Sequence, residues 1–236
     1  MSSVNGASLR AILFDLDGVI IDSEHLHEES LRLAGRSFGF EVTAEEDALF
    51  RGSTEEAEID YLLTKHSHLE LTRGQVMARK QELYDQMLDR LSLIDGVAEF
   101  IDHCQRCGLL LGVATSAQLE NQQRAFDRFD LAPYFRTVVT SRDVTNSKPH
   151  PEPYATAAQR LGVAPLHCLV IEDSVNGVRS GKGAGCRVAA ITTTFERADL
   201  VAAGADVVVS SFAELQRWLD TTLCTAQQVE IERRWR

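Results

Sequence analysis

Basic charge is in short supply in this chain. Lys and Arg number 24 against 35 Asp and Glu, which leaves a formal net charge of −11. Such a balance argues against a nucleic-acid partner, which needs a clustered basic face. It also repels a phosphorylated ligand at long range, so an anion site here must be built locally from a metal, a few cations or backbone N–H groups. Long apolar runs are missing too. No stretch has the length needed to span a bilayer, and Met1 to Ser8 lacks the charged start and apolar run of a secretory signal, which predicts a cytoplasmic protein with no membrane partner. Cysteine is sparse: five, an odd number, scattered over 236 residues. That argues for reduced, partly buried thiols rather than a disulfide framework. Cys104 and Cys107 form a CxxC, but no second pair stands at zinc spacing, and they fall at the end of a helical pattern. They read as a helical core thiol pair. Internal repeats and low-complexity tracts are absent.

What is present is strand–helix alternation. Apolar runs at 11–15, 109–115, 137–140, 168–172, 187–192 and 206–210 are continuous rather than alternating, as in strands buried on both faces. Helical patterns lie between them at 97–107, 119–129, 152–161, 175–183 and 197–203. This order predicts a doubly wound, mostly parallel α/β sheet. From about Leu26 to Leu91 no strand is visible, and the segment is charged with helical period, notably at 55–65 and 75–91. It is too long for a crossover loop and reads as a helical insert after the first strand. The predicted organisation is a core of residues 1–22 and 94–236 with a small helical cap at 23–93.

Ligands of an open α/β sheet bind beyond the carboxyl ends of the strands. Four of these strands meet polar residues there: Asp15-Leu16-Asp17-Gly18, Thr115-Ser116, Ser147-Lys148-Pro149 and Glu172-Asp173-Ser174. An Asp after an apolar strand is by itself a turn or cap residue, and a Lys-Pro is a loop. On consecutive strands they form a site. Asp15, the main-chain carbonyl of Asp17, and Asp173 supply hard oxygens for Mg²⁺, with Glu172 as a further or supporting partner. Asp15 can attack phosphorus; Asp17, two residues on, can act as general acid and base. Gly18 relieves crowding where backbone approaches a phosphate. Thr115 and the Ser116 N–H can hold phosphoryl oxygens, and Lys148 offsets the gathered negative charge. These are the parts that phosphoryl transfer requires.

The four motifs, FDLDGVIIDSE (Phe14 to Glu24), ATS (Ala114 to Ser116), SKPHPEPY (Ser147 to Tyr154) and IEDSVNGVRSGKGAG (Ile171 to Gly185), closely resemble the ordered motifs of the haloacid dehalogenase-like superfamily. The DGV-x-x-DSE form followed by a helical insert resembles the subclass with a C1 helical cap, which includes phosphoglycolate and sugar-phosphate phosphatases and β-phosphoglucomutase. The resemblance implies a Rossmannoid core, a mobile cap and a phosphoaspartate at Asp15. Asp17 disfavours the dehalogenases and phosphonatases, which lack this acid. His27 stands ten residues after Asp17, where β-phosphoglucomutases also carry His, and Arg51-Gly52-Ser53 resembles a cap loop that contacts sugar phosphates. Glu24, His27 and Arg51 are thus implied substrate contacts alongside Gly18 and Ser116. Against the mutase, Asp22-Ser23-Glu24 is the phosphatase-like form, and Ala117-Gln118-Leu119 lacks the Ser and Asn a mutase would use. The expected activity is an Mg²⁺-dependent phosphatase of a small phosphorylated metabolite, monomeric or a small homo-oligomer. A hexose-phosphate mutase and a non-catalytic binding protein of the same fold are the alternatives. Plainer readings stand beside these roles. His27 and Arg51 also fit a solvated surface; Ser53 and Glu56 fit a helix start; Lys80 fits a solvated helix face. Phe38 and Phe40 fit a cap core, and Glu230 to Arg236 fits an exposed charged tail with Trp235 packing back.

Overall fold

A computed structural model describes residues 8–50, 53–117 and 119–234, with no side chain described beyond residue 223. The chain divides into two compact units: Met1–Ile21 with Leu93–Arg236, and Asp22–Ser92.

The larger unit is built on six strands: β1 (Ala11–Phe14), β4 (Leu110–Ala114), β5 (Thr137–Val139), β6 (Cys168–Glu172), β7 (Arg187–Ile191) and β8 (Val207–Val209). They pair in the order β5-β4-β1-β6-β7-β8, every pair parallel. Helices α5 (Val97–Arg106), α6 (Leu119–Phe129), α7 (Glu152–Leu161), α8 (Val175–Gly183), α9 (Arg197–Ala202) and α10 (Phe212–Arg234) connect and follow them. The doubly wound α/β fold is therefore the observed one. Successive residues of a strand point to opposite faces, and both faces of β1 are buried. Leu13 joins an aliphatic cluster with Ala157, Val170 and Val178. Phe14 meets Phe100 and Phe135 edge-on, at ring centroid distances of 6.2 and 5.7 Å. This two-sided burial is why the strands read as unbroken apolar runs. The chain leaves β1 toward β4 and leaves β6 toward β7, so the sheet order reverses between these neighbours. A crevice opens there at the strands' carboxyl ends.

The smaller unit contains α1 (Glu24–Phe38), α2 (Ala44–Phe50), α3 (Glu55–Lys65) and α4 (Arg73–Gln86). The two chain passages that join the units, β2 (Ile21–Asp22) and β3 (Ser92–Leu93), form a two-stranded sheet. Leu31, Phe40, Phe50, Ile59, Leu62 and Val76 make its core, with Phe38 packed against it. Thr54, not Ser53, caps α3: its side chain accepts from the Ala57 N–H. Thr72 and Gln75 form a reciprocal capping box on α4. Lys80 is a correction. It is 5% exposed and ion-paired to Glu55 at 2.9 Å, so it is not a solvated face residue. The ion pair with the half-buried Glu55 offsets the cost of burying its ammonium. Trp235 lies outside the described residues, and so do the side chains of Glu230 to Arg236.

Candidate active site

Asp15 follows β1 directly, and its N–H donates to the carbonyl of Ile171 on β6 at 3.0 Å. This main-chain bond sets the carboxylate beside the end of β6, where Glu172 is fully buried and Asp173 nearly so. The loop after Asp15 turns tightly. The Gly18 N–H donates to Ile21 O at 2.8 Å, and Gly18 has a φ of +71°, where an L side chain is strained. A Cβ at Gly18 would stand 2.0 Å from Asp173 Oδ2. Glycine is thus demanded here by backbone conformation and by the Asp173 carboxylate. Asp17, half-buried, sits at the rim of this loop.

Lys148 reaches the same point from the loop between β5 and α7. Its Nζ donates to Asp15 Oδ1 and to Glu172 Oε1, each at 2.7 Å, and to Tyr154 Oη at 3.1 Å. The loop behind it is held by Glu152, whose carboxylate accepts from the N–H groups of Thr145 (2.8 Å) and Asn146 (2.9 Å). Ser180 Oγ donates to His150 O at 2.7 Å. Burial pushes the Asp15 carboxyl up, the ammonium of Lys148 pulls it down, and Glu172 pushes it up again; the result is a value of about 7. Burial would lower Lys148, but Asp15 and Glu172 outweigh it and hold the ammonium charged.

Glu172 is engaged on every side. Besides Lys148, Tyr154 Oη donates to Oε1 at 2.7 Å. Oε2 accepts from Asp173 N, Ser174 N and Ser174 Oγ at 3.1, 3.2 and 2.9 Å. A Cβ on Gly177 would fall 1.7 Å from Oε1, so the first turn of α8 packs its bare backbone on this carboxylate. Thr115 is buried after β4, and its Oγ1 accepts from the Ala117 N–H at 2.9 Å; Ser116 beside it is exposed. Two residues that sequence reasoning did not single out belong here. Thr194 Oγ1 donates to Asp173 Oδ2, and Thr193 Oγ1 donates to Gly18 O at 2.6 Å. They follow β7, and their only signal in the sequence is their place after a buried strand.

Among the described residues, Asp15, Glu172 and Asp173 each place an oxygen within 4.8 Å of the others. Hard carboxylate oxygens at this spacing suit a small divalent cation such as Mg²⁺. With five protein donors already on Glu172, Asp15 and Asp173 are the better placed direct ligands. The structure thus brings Asp15, Lys148, Glu172 and Asp173 into contact range, with Asp17, Gly18, Thr115 and Ser116 at the same strand ends. Glu24 and His27 belong to the smaller unit. Glu24 opens α1 and is exposed; the His27 ring stacks on Tyr84 with centroids 4.5 Å apart. Arg51 lies outside the described residues.

Residues 12–191 match the family model of the haloacid dehalogenase-like hydrolases. Hexitol phosphatase B of Escherichia coli K12 is 30% identical over 213 residues, covering 87% of this chain and 93% of that protein. A phosphorylated carbohydrates phosphatase of Thermotoga maritima is 31% identical over 180 residues, covering 75% and 82%. Among solved structures, CbbY from Rhodobacter sphaeroides in complex with phosphate superposes with a TM-score of 0.74 at 28% identity, covering 88% and 96%. The chain is a member of the haloacid dehalogenase-like hydrolase family.

Proposed function

We propose that this protein is an Mg²⁺-dependent phosphatase that hydrolyses a small phosphorylated sugar or similar metabolite through an aspartyl-phosphate on Asp15. The observation that carries the reading is the placement of one buried ammonium, Lys148, 2.7 Å from both Asp15 and Glu172, with Asp173 at metal-ligand spacing beside them. A phosphoryl group adds negative charge to a place already rich in carboxylates, and a fixed cation offsets that charge without reorganising.

Asp15, Asp173 and the Asp17 main-chain carbonyl would hold Mg²⁺, with Glu172 supporting from behind through Lys148 and the Asp173 N–H. When bound, the ion supplies positive charge against the phosphoryl oxygens and favours the ionised form of Asp15. The Asp15 carboxylate attacks phosphorus, a bond from Asp15 oxygen to phosphorus forms, and the phosphorus–ester oxygen bond breaks. Asp17 in its acid form gives its proton to the departing alkoxide. Water then attacks the same phosphorus and passes a proton to Asp17. Asp15 leaves as carboxylate, so inorganic phosphate is released and both residues return to their starting forms. Thr115 and the Ser116 N–H hold phosphoryl oxygens during both steps.

The curated relatives named above are phosphatases, which supports hydrolysis over transfer back to a sugar. A panel of phosphomonoesters (hexitol phosphates, hexose phosphates, phosphoglycolate, and β-glucose 1-phosphate with its bisphosphate activator) tests the reading. Phosphate release that needs Mg²⁺ and ceases in Asp15→Asn is expected. Isomerisation of β-glucose 1-phosphate without release identifies a mutase, and inert protein across the panel overturns enzymatic function.

A further inference from the structure

Tyr154 belongs to no step above, yet its hydroxyl touches two of the groups that matter most. It sits in the first turn of α7, with no exposed surface. Its Oη donates to Glu172 Oε1 at 2.7 Å and accepts from Lys148 Nζ at 3.1 Å. The Lys148 ammonium also lies over the ring, 4.8 Å from its centroid, a placement attractive to a cation.

An ammonium has three protons, and Lys148 finds three acceptors: Asp15, Glu172 and Tyr154. Two are carboxylates at 2.7 Å. The third is a neutral phenol at the longer distance, and hydrogen bonds to an ionised partner are the stronger ones. The same phenol donates to Glu172 Oε1, so it shares that oxygen with Lys148 and limits how firmly the carboxylate draws the ammonium away from Asp15. Remove the hydroxyl and, among the described residues, Glu172 Oε1 has Lys148 as its one side-chain donor.

We propose that Tyr154 is a positioning residue. Its hydroxyl engages Glu172 Oε1 and so keeps the Lys148 ammonium at Asp15, and this sets the affinity of the site for phosphate. The inference rests on the phosphatase reading of this site and names a residue that the reading does not use.

Tyr154→Phe keeps the ring and deletes the hydroxyl; Tyr154→Met deletes both hydroxyl and ring while filling much of the volume. Binding of inorganic phosphate and, separately, of Mg²⁺ is measured by calorimetry on the full chain, with thermal midpoints recorded beside them. Each variant is expected to weaken phosphate by ~10-fold, the order of one hydrogen bond to a charged group. Mg²⁺ affinity stays within about 2-fold, because Tyr154 touches neither Asp15 nor Asp173. A folded variant that binds phosphate as wild type does overturns the role of Tyr154 and leaves the phosphatase reading standing. So does equal weakening of phosphate and Mg²⁺, the mark of a merely structural residue. A wild-type protein that binds no phosphate with Mg²⁺ present overturns the phosphatase reading, and this inference with it.

Discussion

Asp15 and Lys148 are held in opposition by their surroundings. Burial lifts the Asp15 carboxyl to about 7, while the same carboxylate, with Glu172, keeps the Lys148 ammonium charged. Removing either side of such a pair has unequal consequences. Asp15→Asn keeps the shape, leaves Lys148 paired with Glu172, and should abolish turnover with little change in thermal midpoint. Lys148→Ala leaves two neighbouring buried carboxylates with no cation between them. Losing one partner of a buried pair typically costs about 3–5 kcal/mol, so this variant should melt well below wild type at pH 8. Calorimetry of the two variants side by side checks the asymmetry. Carboxylates and a lysine at strand ends were visible in the sequence because their chemistry is carried by residue type. The contacts of Tyr154, which closes the SKPHPEPY motif, and any part for Thr193 and Thr194 were not, because an ordinary aromatic or hydroxyl residue reveals its partner only when distant segments meet.

At the scale of elements, the sheet positions the site by main-chain bonds, and α8 closes it by absence of a side chain. Gly177→Ala would drive a methyl into Glu172. The carboxylate is buried and fully bonded, so it has nowhere to move without losing donors. About 3 kcal/mol of destabilisation, together with loss of turnover, is the expected outcome of urea unfolding and a phosphate-release assay. The core elements were legible because burial on both faces writes each strand as an apolar run. The patterns at 119–129, 152–161 and 175–183 coincide with α6, α7 and α8. In the smaller unit the pattern at 55–65 coincides with α3, and the other helices were less legible. Its helices turn some charged residues inward, as the buried Lys80 pairs with the half-buried Glu55 and the buried Glu46 with the exposed Lys65. Polar residues that face inward erase the period that would mark a face. The start of α1 at Glu24 and the whole of α10 were likewise missed: α1 begins inside a motif dominated by the site, and α10 mixes apolar and charged residues throughout.

For the molecule as a whole, stability is tied to charge. A chain of net charge −11 stores repulsion wherever acids gather, and the smaller unit gathers them around Glu58. Burial raises the Glu58 carboxyl to about 7, Lys80 lowers it in part, and Glu55, Glu24 and Asp47 add to the rise. The folded value exceeds the unfolded one, so the folded state holds its proton more tightly. The contribution is therefore least unfavourable below about pH 4.5, worsens as pH rises toward 7, and is constant above that. Glu58→Gln should stabilise the protein at pH 8 by on the order of 1–2 kcal/mol and lose that gain as pH falls toward 4.5. Denaturant unfolding at both pH values measures it. An unchanged difference across the range would contradict the burial account of Glu58.

Everything proposed for the site converges on where the phosphoryl group goes first. The most direct measurement is acid quench of the wild-type protein during turnover of a radiolabelled phosphomonoester with Mg²⁺, followed by peptide mapping of the label. The account predicts a phosphoryl label on Asp15, sensitive to hydroxylamine as an acyl phosphate is, and absent from Asp15→Asn. Turnover with the label on another residue, or an Asp15→Asn variant that still releases phosphate at the wild-type rate, would contradict it.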